Sequence, residues 1–451
     1  MKTIVKIKDI CIKNIKNVEC GEVSFLEDKK FSGILGIYGQ NGSGKTAIID
    51  ALEILKNVIM NQGLSSNTES VLSCDKDESS ISTSFAVEFD GNESNFDYEL
   101  KINRDSDNGF YISGEKIVYK YQDNEKKVIR KTIEYTFNTD NIITPVVVLN
   151  TIKRSDKQAF RSLIEAQTVS YREKKSFLFN NQIIELLNKT DELNNLANII
   201  KNIKKYLEIN FIVFNSGSNG LVNTSLVIPV HARVHHGDFD SSGVLPIVLD
   251  YPQIYDTEIV KDIKLIFEQI NVVLKTIVPN LSIKIKETDN QITKDGKEGS
   301  IIELLAVRNQ LEFPLKYESE GIIKIVSLLS SIIAVFNCSS FFLAVDELDS
   351  GIFEYLLGEL LKILGKGAKG QLLFTSHNLI LLEKIPTQSI YFTTTDKKDN
   401  FATITKVKKT NNLRDVYLRM ISLGMDSEFY DELSVLEIEY ALMRAGEIFE
   451  K

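Results

Sequence analysis

Apolar and polar residues alternate through residues 4–15, the period of two expected of a half-buried strand. An apolar run at 33–38 follows and leads straight into a glycine-rich turn. Across 47–60 the period changes. Ile48, Leu52, Leu55 and Ile59 recur at helical steps, so this stretch is a helix with one buried face. The chain therefore opens strand, strand, turn, helix. Residues 61–79 are polar and Ser-rich, a loop. Between 81 and 121 alternation returns in SISTSFAVEF, FDYELKI and FYISGEKIVYKY, separated by Asn, Asp and Gly, which predicts an antiparallel meander. Residues 146–149 read as a short apolar strand, and 155–210 are helical in spacing. Residues 225–250, with their His, Gly and Pro, have no clear period.

Further on, 259–276 is an amphipathic helix, and LSIKIKE and IIELLAV are short strands. Helices at 322–336, 353–364 and 379–384 then alternate with apolar strands at 341–345 and 372–376, a pattern that implies a parallel sheet. The tail, 411–451, reads as two acidic helices. The expected division is an N-terminal lobe at 1–150, a helical insertion or lid at 151–285, a C-terminal lobe at 286–400 and the helical tail at 401–451.

Composition narrows the class. The 451 residues are 43% hydrophobic and 25% charged, an ordinary globular balance. There is no signal-peptide pattern and no apolar run long enough for a membrane span, so a cytoplasmic protein is expected. Cys11, Cys20, Cys74 and Cys338 form no CxxC pair, which argues against a zinc site or redox dithiol. The net charge of −9 argues against constitutive binding along a phosphate backbone.

Three segments carry chemistry. Gly39-Gln40-Asn41-Gly42-Ser43-Gly44-Lys45-Thr46 matches GxxxxGK[ST] between a strand and a helix. Its glycines let backbone N–H groups wrap a phosphate, Lys45 adds a point charge for the β/γ-phosphates, and the Thr46 hydroxyl is a magnesium ligand. The apolar run Phe341-Phe342-Leu343-Ala344-Val345 ends in Asp346-Glu347. Asp346 would hold magnesium and Glu347 would polarise the attacking water. His377, just past the strand at 372–376, is placed to touch a γ-phosphate or orient that water.

With those motifs in one chain, the sequence resembles an ABC-type ATPase of the recombination- and repair-like branch, together with the OLD-like and AAA ATPases of anti-phage systems. The resemblance implies an α/β ABC ATPase head, a P-loop NTPase with an antiparallel β-subdomain and a compact helical insertion. The opening Ile12-Lys13-Asn14-Ile15-Lys16-Asn17 is similar to that branch's first strand, which makes Asn14 and Lys16 nucleotide contacts. Tyr317 to Lys324, with Ser319 and Gly321, looks like a degenerate form of its signature, a Ser-x-Gly opening a helix. In such families Ser319 and Gly321 would touch the γ-phosphate on a partner chain, and Asp349 would lie in the D-loop across the dimer. Gln158 is the candidate Q-loop magnesium ligand, with Gln167 and Gln182 close by. The resemblance further implies ATP and Mg2+ as cofactors and a homodimer of heads or a larger ring. It is closest to a stand-alone defence ATPase such as the PARIS sensor ATPase, which controls a separate nuclease or toxin effector and answers to a phage-protein trigger. The insertion is much shorter than chromosome-maintenance arms, and no nuclease domain is expected after His377. A DNA-clamping repair ATPase and an ATP-loaded scaffold are the alternatives; nucleic acid is not the favoured partner.

Other features have plainer readings. Asn188-Lys189-Thr190-Asp191 spells the guanine-reading NKxD, yet no DxxG precedes it, so it reads as a helix surface and ATP is preferred over GTP. His231, His235, His236, Asp238 and Asp240 form the densest ligand-like cluster, but in no known metal spacing. Lys153, Arg154, Lys157, Arg161, Arg172, Lys174 and Lys175, with Phe160, Tyr171 and Phe177 interleaved, make a basic stretch that reads as a solvated helix face and, alternatively, as a partner surface.

Overall fold

The computed structural model describes all residues except 1–2, 28–29, 90–91, 107–108, 123–127, 156–158, 191–192, 216–226, 237–238, 293–295, 395–398, 405–412, 424–437, 440, 443 and 445–451. The chain starts with β1 (Thr3–Ile15) and β2 (Val18–Ser24), then the two-residue strands β3 (Leu26–Glu27) and β4 (Lys30–Phe31), then β5 (Ile34–Tyr38) and α1 (Lys45–Ile59). A meander follows: β6 (Glu78–Phe89), β7 (Asn92–Asp105), β8 (Gly109–Gln122), β9 (Val128–Thr136) and β10 (Ile143–Thr144). Helices α2 (Val146–Ser155), α3 (Ala159–Glu173), α4 (Asn181–Asn188) and α5 (Asn194–Asn210) lead into β11 (Phe211–Phe214). Next come β12 (Val227–His236), β13 (Phe239–Val248), β14 (Gln253–Asp256), α6 (Thr257–Ile277), β15 (Leu281–Ile292), β16 (Glu298–Arg308) and β17 (Leu311–Pro314). The last part is α7 (Glu320–Asn337), β18 (Phe342–Val345), α8 (Glu354–Gly367), β19 (Gln371–Ser376), β20 (Ile390–Thr393), β21 (Phe401–Ala402) and α9 (Leu413–Leu423).

Two sheets place the site. A six-stranded sheet runs β11-β18-β19-β5-β20-β21, parallel except for its last pair. Its strands β5, β18 and β19 are buried at every residue, which is why they read as continuous apolar runs rather than alternation. A seven-stranded antiparallel sheet runs β10-β9-β8-β7-β6-β1-β2. Ile7, Ile10 and Ile12 of β1 pack in one core with Ile48, Leu52 and Leu55 of α1 and with Ile200 and Leu207 of α5. That core joins the two sheets. The other face of the six-stranded sheet packs on α8, through Leu357, Leu361 and Leu364, and on α7 through Leu328 and Val335. Gln371 adds a polar tie: it accepts from the Ile7 amide at 2.8 Å and donates to the Ile7 carbonyl at 2.7 Å, beside a bulge in β1.

The mixed α/β architecture, with its antiparallel subdomain and helical insertion, agrees with the sequence reading. Several elements do not. Residues 146–149 begin helix α2 rather than a strand. Residues 379–384 form only a 3-10 turn, Leu379–Glu383. Residues 225–250 contain the hairpin β12–β13. The span expected as a helical insertion also supplies β11 to the six-stranded sheet. Most of the tail beyond 423 lies outside the described residues. Helix α7 is long and apolar enough for a membrane span by length and composition, but just over half of it is buried in the core.

A carboxylate fixes the insertion to the meander. Glu115 of β8 is 1% exposed. It accepts from Tyr98 Oη at 2.7 Å and Ser176 Oγ at 2.5 Å, and from the amides of Phe177 at 2.6 Å and Leu178 at 3.2 Å. Stacking of Tyr135 on Phe177 flanks the joint, with ring centroids 4.1 Å apart.

Candidate functional site

The loop after β5 turns through Gly42 and Gly44, both at positive φ, before α1 begins at Lys45. Gly44 caps the helix at φ 98, and a Cβ there would stand 2.5 Å from Val18 Cγ2, so the position needs glycine on two grounds. The free N–H groups and positive end of α1 face this loop, and its first turn carries no acidic residue. Lys45, 5% exposed, donates to the carbonyls of Gly39 at 2.8 Å and Gln40 at 2.5 Å, which hold its amine inside the loop. Burial brings its pKa down to about 8, opposed by the charges of Asp346, Glu347 and Asp349.

Asp346 directly follows β18 and is 1% exposed. Its Oδ1 accepts from Thr375 Oγ1 at 2.6 Å and from Thr46 Oγ1 at 3.3 Å. Thr46 and Asp346 thus present two hard oxygen donors side by side, a pair that fits Mg2+. Among the described residues no group of three His, Cys, Asp or Glu could hold a metal. A magnesium that also takes phosphate oxygens and water does not need one.

Glu347 is exposed and sits at φ 47, a left-handed conformation that is uncommon outside glycine and is often found where function requires it. Side chains from two other elements hold it. Its amide donates to Thr375 Oγ1 at 2.8 Å, and its carbonyl accepts from Lys324 Nζ at 2.7 Å. Burial lowers the Lys324 pKa to about 8, against the pull of Asp349, Glu347 and Asp346. His377 lies beyond the end of β19, next to β18. Its pKa is lowered by partial burial and by the Lys45 charge, against the pull of Asp349, Glu347 and Asp346. Asp349 Oδ2 accepts the backbone amides of His377 at 3.2 Å and Asn378 at 3.0 Å. Asp349, expected across a dimer, therefore pins the histidine turn of its own chain.

Ser319 caps α7, its Oγ accepting from the Ile322 amide at 3.4 Å, and it lies exposed. Arg308 of β16 braces the preceding residue through Glu318, with nitrogen–oxygen distances of 3.1–3.2 Å. A Cβ on Gly321 would stand 2.1 Å from the Gly351 carbonyl, so the start of α7 and the turn after β18 touch backbone to backbone. Gly321→Ala is expected to displace that turn and lower stability by about 2 kcal/mol, the usual cost of overpacking. A urea-unfolding midpoint measures it; an unchanged midpoint refutes the contact.

Other expected residues lie elsewhere. The Asn14 side chain donates to the Glu78 carbonyl at 2.8 Å, toward β6. Lys16 pairs with Asp50 of α1. The residue of that segment that meets the loop is Asn17, whose amide donates to the Gly42 carbonyl. Gln158 lies outside the described residues, and the segment before it that was read as a strand is α2. The apolar strand bordering β18 is β11, and it runs into Asn215, whose amide donates to Glu53 of α1. Asn17 stood within the quoted motif. Asn215 had only the short FIVF run as a signal. Lys324 closed the quoted signature-like segment without a role of its own, and Thr375 had no signal.

Asn188 ends α4 and Lys189 caps it, while Asp191 is outside the described residues. His231 packs edge-on against Phe341, centroids 4.7 Å apart. Asp238, with the side chains of His235, His236 and Asp240, lies outside what is described. In the basic stretch, Lys153 lies over Phe160, Lys174 over Phe110, Arg161 pairs with Glu165 and Lys175 with Glu173. The side chains of Arg154 and Lys157 are outside the description.

Comparison with known proteins gives one family match. Residues 34–205 match a family described as an AAA domain and named for the AbiEii toxin of a type IV TA system, over less than half of the chain. No curated protein matches the chain. Among solved structures the chain is similar to the Smc head domain with an extended coiled coil, bound to the C-terminal domain of ScpA, from Pyrococcus furiosus. Identity is 11%, coverage 93% of this chain and 100% of that one, and the TM-score 0.40. The SMC head domain from Thermotoga maritima is 12% identical over 88% and 99% of the two chains, TM-score 0.38. The recombination mediator protein RecF of the RecFOR pathway is 11% identical over 89% and 99%, TM-score 0.37. These structural likenesses are too distant to transfer a function.

Proposed function

We propose that the chain is an ABC-type ATPase head that binds ATP with Mg2+ on the loop at 39–46 and hydrolyses it. The observation that carries this reading is the convergence of Lys45, Thr46 and Asp346 at one sheet edge, with Glu347 next in the chain. The AAA-domain match, which spans the loop, supports it. In this reading the loop amides and α1 bind the β- and γ-phosphates, and Lys45 exchanges the Gly39 and Gln40 carbonyls for phosphate oxygens. Thr46 and Asp346 would hold Mg2+, which would supply positive charge against the phosphates. Glu347 accepts a proton from water as the water oxygen bonds to the γ-phosphorus. The bond to the β-phosphate oxygen breaks, leaving ADP and phosphate. His377 orients the γ-phosphate or the water.

The exposed Ser319 and the half-buried Gly321 would meet the γ-phosphate on a partner chain, so two heads would sandwich two nucleotides, alone or within a ring. The biological role we infer is a cytoplasmic sensor or scaffold subunit of anti-phage defence that controls a separate effector. The name of the matched family supports that role. A DNA clamp is less favoured: Lys101, Lys116 and Lys120 of the antiparallel sheet are paired with Glu78, Glu134 and Asp97.

The test is ATP turnover by wild type and Lys45→Ala, with and without duplex DNA, alongside solution mass with and without ATP. Magnesium-dependent turnover that ignores DNA, with ATP-dependent dimerisation or ring assembly, is the expected result. Lys45→Ala should bind nucleotide about ten- to a hundredfold more weakly, the loss of a charge-assisted contact. No wild-type turnover, or full turnover by Lys45→Ala, overturns the reading. Several-fold stimulation by DNA puts the clamp ahead.

A further inference from the structure

Lys324 is a lysine with 1% of its surface exposed, and lysines are almost never fully buried without a partner. Its ammonium donates to a single backbone atom, the carbonyl of Glu347, at 2.7 Å. That carbonyl belongs to a residue in a left-handed conformation, φ 47, which costs about 1 kcal/mol or more unless its surroundings hold it. The amide of Glu347 is held by the Thr375 side chain, and its carbonyl by the Lys324 side chain and, at 3.1 Å, by the Ser350 amide of its own turn. Thr375 also fixes the Asp346 carboxylate, so its substitution would disturb the metal-side donor as well. Of this pair Lys324 hydrogen-bonds Glu347, while its charge also faces Asp346 and Asp349.

Its place in the chain adds the second observation. Lys324 lies in the second turn of α7, whose exposed cap is Ser319. The same helix start meets the turn after β18 a second time, at Gly321 against the Gly351 carbonyl. Helix α7 therefore contacts the Glu347–Gly351 segment at both ends. A shift of the helix start would act on the Glu347 backbone through both contacts.

We propose that Lys324 is a positioning residue that, through the Glu347 carbonyl, couples the helix start at Ser319–Gly321 to the aim of the Glu347 carboxylate. This rests on the reading of Glu347 as the group that activates water.

The experiment compares wild type, Lys324→Met and Lys324→Arg for turnover, for binding of a non-hydrolysable ATP analogue and for unfolding midpoint. Lys324→Met keeps the volume of the stem and removes the donor. It is expected to bind the analogue within about threefold of wild type while kcat falls about ten- to a hundredfold, the usual cost of misplacing a catalytic group. Lys324→Arg, which restores a donor, should recover part of that loss. In a Glu347→Gln background Lys324→Met should lower turnover no further, because a residue acting through Glu347 has nothing left to position. If Lys324→Met lowers the unfolding midpoint or analogue binding, Lys324→Arg decides: recovered turnover supports the role, and turnover at the Met level overturns it. Wild-type turnover that survives Lys324→Met overturns this inference alone. Absent turnover in the wild type overturns the ATPase reading and this inference with it.

Discussion

Glu347→Gln leaves nucleotide binding in place and lowers turnover by about a hundred- to ten-thousandfold, some 3–5 kcal/mol of barrier, the usual weight of a general base. Glutamine has the same volume and keeps an oxygen to orient water, but it cannot take the proton. Nucleotide affinity should hold because the loop, Lys45 and Thr46 are untouched, and because the Glu347 backbone is fixed by Thr375 and Lys324 rather than by its own carboxylate. Removing a negative charge near the γ-phosphate should even tighten ATP. On the proposed sandwich, the variant accumulates as an ATP-loaded assembly of twice the wild-type mass or more. Single-turnover kinetics with a parallel light-scattering measurement reads both quantities. Turnover within about twofold of wild type would remove Glu347 from the chemistry, since a general base is worth far more than that. It would also leave the strained backbone at this position without the functional explanation offered here.

Glu115→Ala is the largest stability change expected from a residue outside the site. Burial raises the carboxyl pKa, and donors from Ser176, Tyr98, Phe177 and Leu178 pull it back. Truncation leaves these four donors facing a dry gap, and each unsatisfied buried donor costs about 1–3 kcal/mol. Partial relaxation and entering water should leave a net loss of about 3–5 kcal/mol, in the range seen when one member of a buried polar network is removed. Glu115→Gln should recover little, because its amide points a donor at donors. The loss is read as a fall in the urea midpoint, and as faster proteolysis between α3 and α4, the segment that Glu115 holds. A midpoint unchanged by Glu115→Ala would mean that the apolar contacts of Phe177 and Phe179 hold the insertion without it.

Glu115 also shows why the sequence was silent about this joint. Through β8 alternate residues point inward, but the pairing with β7 slips between Lys101 and Ile102, and the bulge at Ser113 turns Glu115 to the buried side. A slip of one residue flips every later side chain to the other face, and nothing in SGEK announces it. Asn14 illustrates the same limit at short range. It stands in the opening motif with Lys16 and Asn17, but only Asn17 reaches the loop.

The sequence alone determined the glycine-rich loop at 39–46, the Asp346-Glu347 pair after an apolar strand and the histidine after the next strand. It also determined that strands and helices alternate around them. These are legible because each rests on neighbouring residues: a glycine-rich turn between a strand and a helix, or two carboxylates ending an apolar run. The tertiary structure decided everything that depends on which strands are neighbours. Thr46 and Asp346 meet across 300 positions because β19 lies between β18 and β5. Asn215, not a glutamine, follows the strand beside β18 because β11 leaves the helical insertion to pair there. Lys324 and Thr375 hold Glu347 only because α7 and β19 flank the same turn. Strand order in a parallel sheet is fixed by long crossovers and by the packing of buried faces, and those energies belong to contacts between distant segments, which no local period encodes.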